Sequence, residues 1–180
     1  MLANLQLKNK TALIFAVLLL QIIILSIMVL NSYLVIFLGE KITLKVEPVD
    51  PRSLFQGDYV ILNYSFNNLD LSHIEHDLDP NTGYRDSVFY MVFTPQGEVW
   101  VPSFVTQNPA KVQGQVYIKG RGYYYKDLYR QTLHFRPGIE QFFVPEGKGK
   151  EIEDQIRKGV VYAQVSVYKG KARVTGLVNQ

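Results

Sequence analysis

The sequence predicts an N-terminal transmembrane helix followed by a mainly antiparallel β domain, barrel-like or sandwich, with one short helix. Three observations carry this. Residues Thr11 to Leu38 contain no charge, no proline and no glycine, while all eight prolines fall from Pro48 onward. The remainder breaks into short runs of β-branched and aromatic residues separated by Gly, Pro, Asn and Asp, the composition of strands joined by turns. One stretch alone, Gly149 to Lys158, has the charge order of a helix: acids early and bases late, matching the helix dipole.

The first element is the apolar run. About 20 helical residues span a hydrocarbon core of about 30 Å, so 11–38 is longer than a span needs and predicts a tilt or an exposed last turn. Lys8, Lys10 and the terminal amine precede it, whereas Glu40 and Lys41 follow it and cancel. The positive-inside rule then makes 1–10 a cytoplasmic N-terminus, 11–38 the anchor and 39–180 an extracytoplasmic β-rich domain. Tyr33 falls near the outer interface. A cleaved signal peptide fits less well, because the run is too long and offers no Ala-x-Ala site before Gly39. Gln21, Ser26 and Asn31 interrupt the run, and Ala12 and Ala16 stand one turn apart. Either these are tolerated within a lone helix or they meet a partner helix.

The strands follow in order. Ile42 to Glu47 alternates, with Ile42, Leu44 and Val46 on one face. Val60 to Phe66 is a second strand. Asn67 to Gly83 is polar, acidic and rich in turn signals, and reads as a long exposed loop. Ser87 to Thr94 and Glu98 to Val105 flank Pro95-Gln96-Gly97 as a hairpin, with Pro102 marking an edge or bulge. Gln115 to Lys119, Leu133 to Phe135 and Ile139 to Val144 are further short strands. In the predicted helix, Ile152 and Ile156 share a face, and Gly159 stops it. Val160 to Tyr168 and Lys171 to Val178 form a last hairpin about Lys169-Gly170.

The octet Gly57-Asp58-Tyr59-Val60-Ile61-Leu62-Asn63-Tyr64 follows a segment that Pro48 and Pro51 hold extended. Gly57 suits a tight turn, Asp58 can accept from nearby backbone N–H groups, and a strand begins at Tyr59. The octet reads G-D-Y-x-x-L-x-Y without a mismatch. Together with Glu47-Pro48-Val49-Asp50-Pro51-Arg52 and Phe143-Val144-Pro145-Glu146-Gly147-Lys148-Gly149, it resembles the GDYXXLXY family of membrane-anchored bacterial proteins. The resemblance implies an anchor, an extracytoplasmic domain in the bacterial cell membrane, no established activity, and genes beside those of polytopic membrane proteins.

No constellation reads as catalytic. There is no cysteine, which excludes disulfides and thiol chemistry. The formal charge of +3 hides an asymmetry: 40–86 holds four Lys or Arg against nine acids, and 111–180 holds thirteen against six. The bases are spread over many strands, so no nucleic-acid partner is expected. Nor is a cofactor. Signal peptidases also set a proline ahead of Gly-Asp-x-Val, as Pro51 stands before Gly57-Asp58-Tyr59-Val60. Here Pro48 stands where that family has its serine and cannot be acylated, and Ser53 has no base beside it. His73, His76, Asp77 and Asp79 are metal-ligand types in one short stretch, but a loop gives them no fixed geometry. Glu146-Gly147-Lys148-Gly149 is either a turn into the helix or an anion-receiving start. Gly120 to Arg130 interleaves Arg121, Lys126 and Arg130 with four tyrosines, which suits headgroups or a protein partner as well as an ordinary exposed strand. His134 reads as a packed or surface histidine.

Two functions remain. One is a non-enzymatic accessory module serving a polytopic membrane protein. The other is an extracytoplasmic hydrolase or ligand-binding domain using Asp58, Arg136, Glu146 and Lys148, with a signal-peptidase-like fold lacking the serine.

Overall fold

The computed structural model of the chain describes residues 2–47, 59–79, 82–127, 130–145, 152, 156 and 161–179. Helix α1 runs from Leu2 to Leu38. Its apolar part, Ala12–Leu38, is 27 residues long with a hydropathy of 3.1, long enough at about 40 Å to cross a membrane. The helix does not stop at a linker. Gly39 is the single residue between it and β1 (Glu40–Glu47), whose Ile42, Leu44 and Val46 are all buried, as their alternation predicts.

β1 sits inside a four-stranded sheet. One neighbour is β11 (Val161–Tyr168), which forms a hairpin with β12 (Lys171–Asn179). Lys169 and Gly170 form the connection with φ of 48° and 78°, two consecutive left-handed residues that suit a two-residue hairpin turn. The other neighbour is β3 (Asn63–Tyr64), paired Val46 to Tyr64. The expected Val60–Phe66 strand is therefore split. β2 (Tyr59–Ile61) pairs with β10 (Gln141–Phe143), β3 pairs with β1, and Ser65–Asn67 turn into a 3-10 helix. The break falls at Leu62, whose N–H donates to Glu140 O at 2.7 Å instead of continuing one ladder.

The larger sheet has the order β4 (Asn68–Asp70), β9 (Gln131–Arg136), β8 (Tyr117–Lys126), β6 (Tyr84–Gln96), β7 (Val99–Thr106), β5 (Glu75–His76). Its pairs are antiparallel except β5 with β7. The expected hairpin is β6–β7, and its register shifts between Val92 and Phe93, opposite Pro102, the bulge that proline predicts. A second shift lies between Tyr84 and Ser87 and a third in β11 at Gln164/Val165. Such bulges bend their strands, and the sheets curl into half-barrels.

The loop expectation for 67–83 is corrected. Within it lie β4, β5 and a 3-10 turn at Leu71–His73, whose cap Asp70 accepts from Ser72 N–H at 2.9 Å. Leu71 and Leu78 are buried, and burying them draws the polar residues between into edge strands on β9 and β7. The 115–119 strand is also longer than expected, as β8 continues to Lys126. Of the expected helix at 149–158, Ile152 and Ile156 are helical and pack on the core; its other residues lie outside the described set.

One core joins the sheets. Tyr64 stacks on Phe66 at 5.0 Å, Phe66 meets Phe93 edge-on at 5.2 Å, and Phe89, Met91, Leu133 and Phe135 are fully buried around them. Truncating one such phenylalanine to alanine costs about 3–5 kcal/mol.

Candidate functional site

Three places deserve a chemical reading: the octet, the outer face of β8, and the junction of α1 with the domain.

Tyr59, Leu62 and Tyr64 of the octet are described, while Gly57 and Asp58 lie outside the described residues, as do Pro48, Pro51 and Ser53. Tyr64 is buried and bonded on two sides. Its N–H donates to Asn67 Oδ1 at 2.8 Å and its hydroxyl to Ile139 O at 3.2 Å, while Asn67 Nδ2 donates to Phe135 O at 3.1 Å. Burial first, and the nearby Glu140 carboxylate second, push the phenol well above the usual tyrosine range, so it stays a neutral donor. Leu62 is buried as well. These two octet residues serve packing and backbone satisfaction. Tyr59 pairs across the ladder with Phe143, their rings edge-on at 6.0 Å. Two of the sequence blocks thus run side by side. Glu146, Gly147, Lys148 and Gly149 lie outside the described residues.

The four metal-ligand types point apart. Asp77 Oδ2 takes Lys111 Nζ at 2.8 Å and the Thr106 hydroxyl at 2.9 Å, and Asp79 Oδ2 takes the Thr82 hydroxyl at 3.0 Å. His76 lies beside the Tyr124 ring, and His73 is exposed at the end of its 3-10 turn. Among the described residues, no group of three His, Asp or Glu side chains is placed to hold a metal ion.

β8 sorts the basic and aromatic residues by alternation. Ile118, Gly120, Gly122 and Tyr124 face the core, and Lys119, Arg121, Tyr123 and Tyr125 face out. Register then adds β9, with Arg136 opposite Arg121 and His134 opposite Tyr123. The two arginines flank Asp86, at 2.8 Å from Arg121 and 3.6 Å from Arg136, and Asp86 itself holds φ of 46°. They line an open groove of about 900 Å³ with Lys119, Gly138 and Glu140. Glu140 Oε1 is buried there without a hydrogen-bond partner among the described residues. Farther along the face, His134 is sandwiched between Tyr123 at 4.2 Å and Tyr125 at 6.2 Å, all three rings nearly parallel. Both tyrosines are close to half exposed. The sequence named Arg121, Arg136 and the tyrosines. It missed Asp86, Lys119 and Glu140, which only the cross-strand register brings beside them.

At the junction, Ser166 on β11 is fully buried, and its hydroxyl donates to Val35 O at 2.7 Å. Gly39 N–H donates to the same carbonyl at 3.1 Å. Arg173 on β12 donates to the Ser32 hydroxyl at 3.2 Å. Val35 is buried against the domain while most of the helix stays exposed. The last two turns of α1 are therefore part of the β domain. Val35 O near the helix end thus accepts twice, from the last i+4 N–H at Gly39 and from β11.

These features define a mostly antiparallel, curled β domain joined directly to an apolar helix long enough to span a membrane. The chain belongs to the GDYXXLXY protein family, whose model matches residues 21–177. No curated protein and no solved structure matches it.

Proposed function

We propose that this chain is a membrane-tethered accessory module for a polytopic membrane protein, with its N-terminus cytoplasmic and its β domain outside the cytoplasm. The observation that carries the reading is the junction. A flexible linker would keep a domain near a membrane without orienting it. Here one residue separates helix from strand, and Ser166 and Arg173 fasten the helix end to the hairpin. Such a connection fixes the height and orientation of the domain over the bilayer. Fixed orientation matters when the target is itself held in the membrane. The Tyr123–His134–Tyr125 face supplies the contact surface, since half-exposed aromatics bring contact area at low entropic cost.

Affinity capture of the full chain in mild detergent tests this, with a multi-span protein as the expected catch. Replacing Ala12–Leu30 by an unrelated apolar helix leaves Asn31–Leu38 and the junction intact. Weakened capture then assigns the contact to the helix. Loss on Tyr123→Ser with Tyr125→Ser assigns it to the β face. Recovery of no membrane protein even after cross-linking rejects the reading. Orientation is read separately: alkaline phosphatase fused after Gln180 should be active, and a fluorescent protein that folds only in the cytoplasm should stay dark there.

One observation favours a second reading, a ligand-binding domain. Arg121 and Arg136 line one open groove, and a soluble ligand with an anionic group would meet both guanidinium groups there. Of the hydrolase residues expected with it, Arg136 alone is described.

A further inference from the structure

A cavity of about 370 Å³ lies where α1 meets the domain, lined by Asn31 and Ser32 of the helix, Lys119 of β8, and Lys171 and Arg173 of β12. Its volume is within the range of small-molecule sites. Three of the residues lining it are cationic, and none is an acid. Among the described residues, no carboxylate forms an ion pair with Lys119, Lys171 or Arg173. The neighbouring Arg121 and Arg136, by contrast, share Asp86.

Two constraints hold the cluster together. Gly170 N-terminal to Lys171 has φ of 78°, and its carbonyl accepts from Lys119 N–H at 2.8 Å. A Cβ at Gly170 would come within 2.5 Å of the Tyr117 ring, so only glycine lets the β11–β12 turn close on β8. That closure sets Lys171 beside Lys119. Arg173 is oriented by its bond to Ser32 through one nitrogen, which leaves the rest of the guanidinium fork free to donate.

Position along the helix says what anion reaches the cavity. Asn31 lies about 29 Å up the axis from Ala12, at the far edge of a hydrocarbon core about 30 Å thick. Met28, one turn below, is the apolar floor of the cavity. The cationic walls thus stand at headgroup depth, with acyl chains free to lie along the exposed leucines and isoleucines beneath.

We propose that this junction cavity binds the phosphate of an anionic lipid headgroup, gripped by Lys119, Lys171 and Arg173 with Ser32 and Asn31 as neutral donors. The inference rests on the helix spanning a membrane, but not on any protein partner. The neighbouring groove shares Lys119 and Gly138, but there Asp86 already pairs with Arg121 and Arg136.

The test uses the full chain in detergent, with phosphatidylglycerol or phosphatidylcholine added and bound lipid read by native mass spectrometry. Phosphatidylglycerol should be retained in preference. Each lysine removed should weaken retention about fivefold, the worth of one basic residue at an anionic surface. Lys119→Gln with Lys171→Gln should therefore lose about twenty-fivefold, Lys119→Arg should keep most of it, and Lys126→Gln at the far end of β8 should change nothing. Equal retention of the two lipids, or full retention by the double variant, overturns the proposal. Inorganic phosphate and glycerol 3-phosphate separate the sources. Weak competition supports a lipid, and competition as strong as that of the lipid itself shows a soluble phosphate site and overturns the lipid assignment. Incorporation into nanodiscs is scored independently: a chain that stays in the aqueous phase rejects the membrane span, whereas an embedded chain without lipid preference rejects only the cavity.

Discussion

Replacing Gly39 by alanine should loosen the helix from the domain. A Cβ at this position falls inside contact distance of Val35 O and Ser166 Oγ, and at 3.0 Å from Val167 N. Gly39 has no positive φ, so the penalty comes from space alone. Two of the three obstacles are backbone atoms and cannot rotate away. The helix end must therefore lift from β11. Overpacking of this kind costs about 1–3 kcal/mol, and a lifted helix also loses the buried Ser166 bond, worth about 1 kcal/mol. Ser166→Ala alone should cost about 1 kcal/mol, because Val35 O keeps the Gly39 N–H and is not orphaned. In the double variant one obstacle is gone and the Ser166 bond is lost only once, so its cost should fall short of the sum by at least about 0.5 kcal/mol. The assay is denaturant melting of the full chain in detergent, followed by the fluorescence of Trp100, which packs against the core. A Gly39→Ala midpoint equal to the parent's would refute the close-approach argument. Strict additivity in the double variant would refute the coupling between Gly39 and Ser166.

Three further perturbations have defined outcomes. Tyr64→Phe removes the buried donor to Ile139 O and should cost about 1–2 kcal/mol near neutral pH. The native phenol pKa is raised, so the parent's stability from this group is complete below the unfolded value of 10.0 and is lost as pH rises above it; melts at increasing pH should show a shallower alkaline decline in the variant. Gly170→Ala should cost about 1–3 kcal/mol, because both the left-handed backbone and the Tyr117 ring oppose a side chain, and an unchanged melting midpoint would count against the turn's closure on β8. Asp86→Asn keeps a residue suited to φ > 0 and removes only the charge between Arg121 and Arg136. On this exposed face the change should be less than about 1 kcal/mol and should shrink as salt is added, with a salt-independent loss arguing for a packing role instead.

The sequence by itself determined the elements whose physics is local. An uncharged run of this length without glycine or proline reads as a membrane-spanning helix, and α1 runs through all of it. Ile42, Leu44 and Val46 must share a face because side chains alternate along a strand. Lys169-Gly170 closes a hairpin by its own backbone preferences, and Pro102 requires a break in its ladder. Tertiary structure decided what depends on partners distant in the chain. Leu62 interrupts the octet strand because Glu140, far along the chain, accepts its N–H. The polar stretch 67–83 forms edge strands because Leu71 and Leu78 find a core that its turn residues do not announce. Ser166 looks like any strand serine until β11 is laid against the end of α1. Lys119, Lys171 and Arg173 are scattered bases along the chain, and only the Gly170 turn folding onto β8 gathers them against Ser32. Periodicity and turn chemistry act over a few residues, whereas register between strands far apart in sequence is set by burial of the whole, and the candidate sites are made of such register.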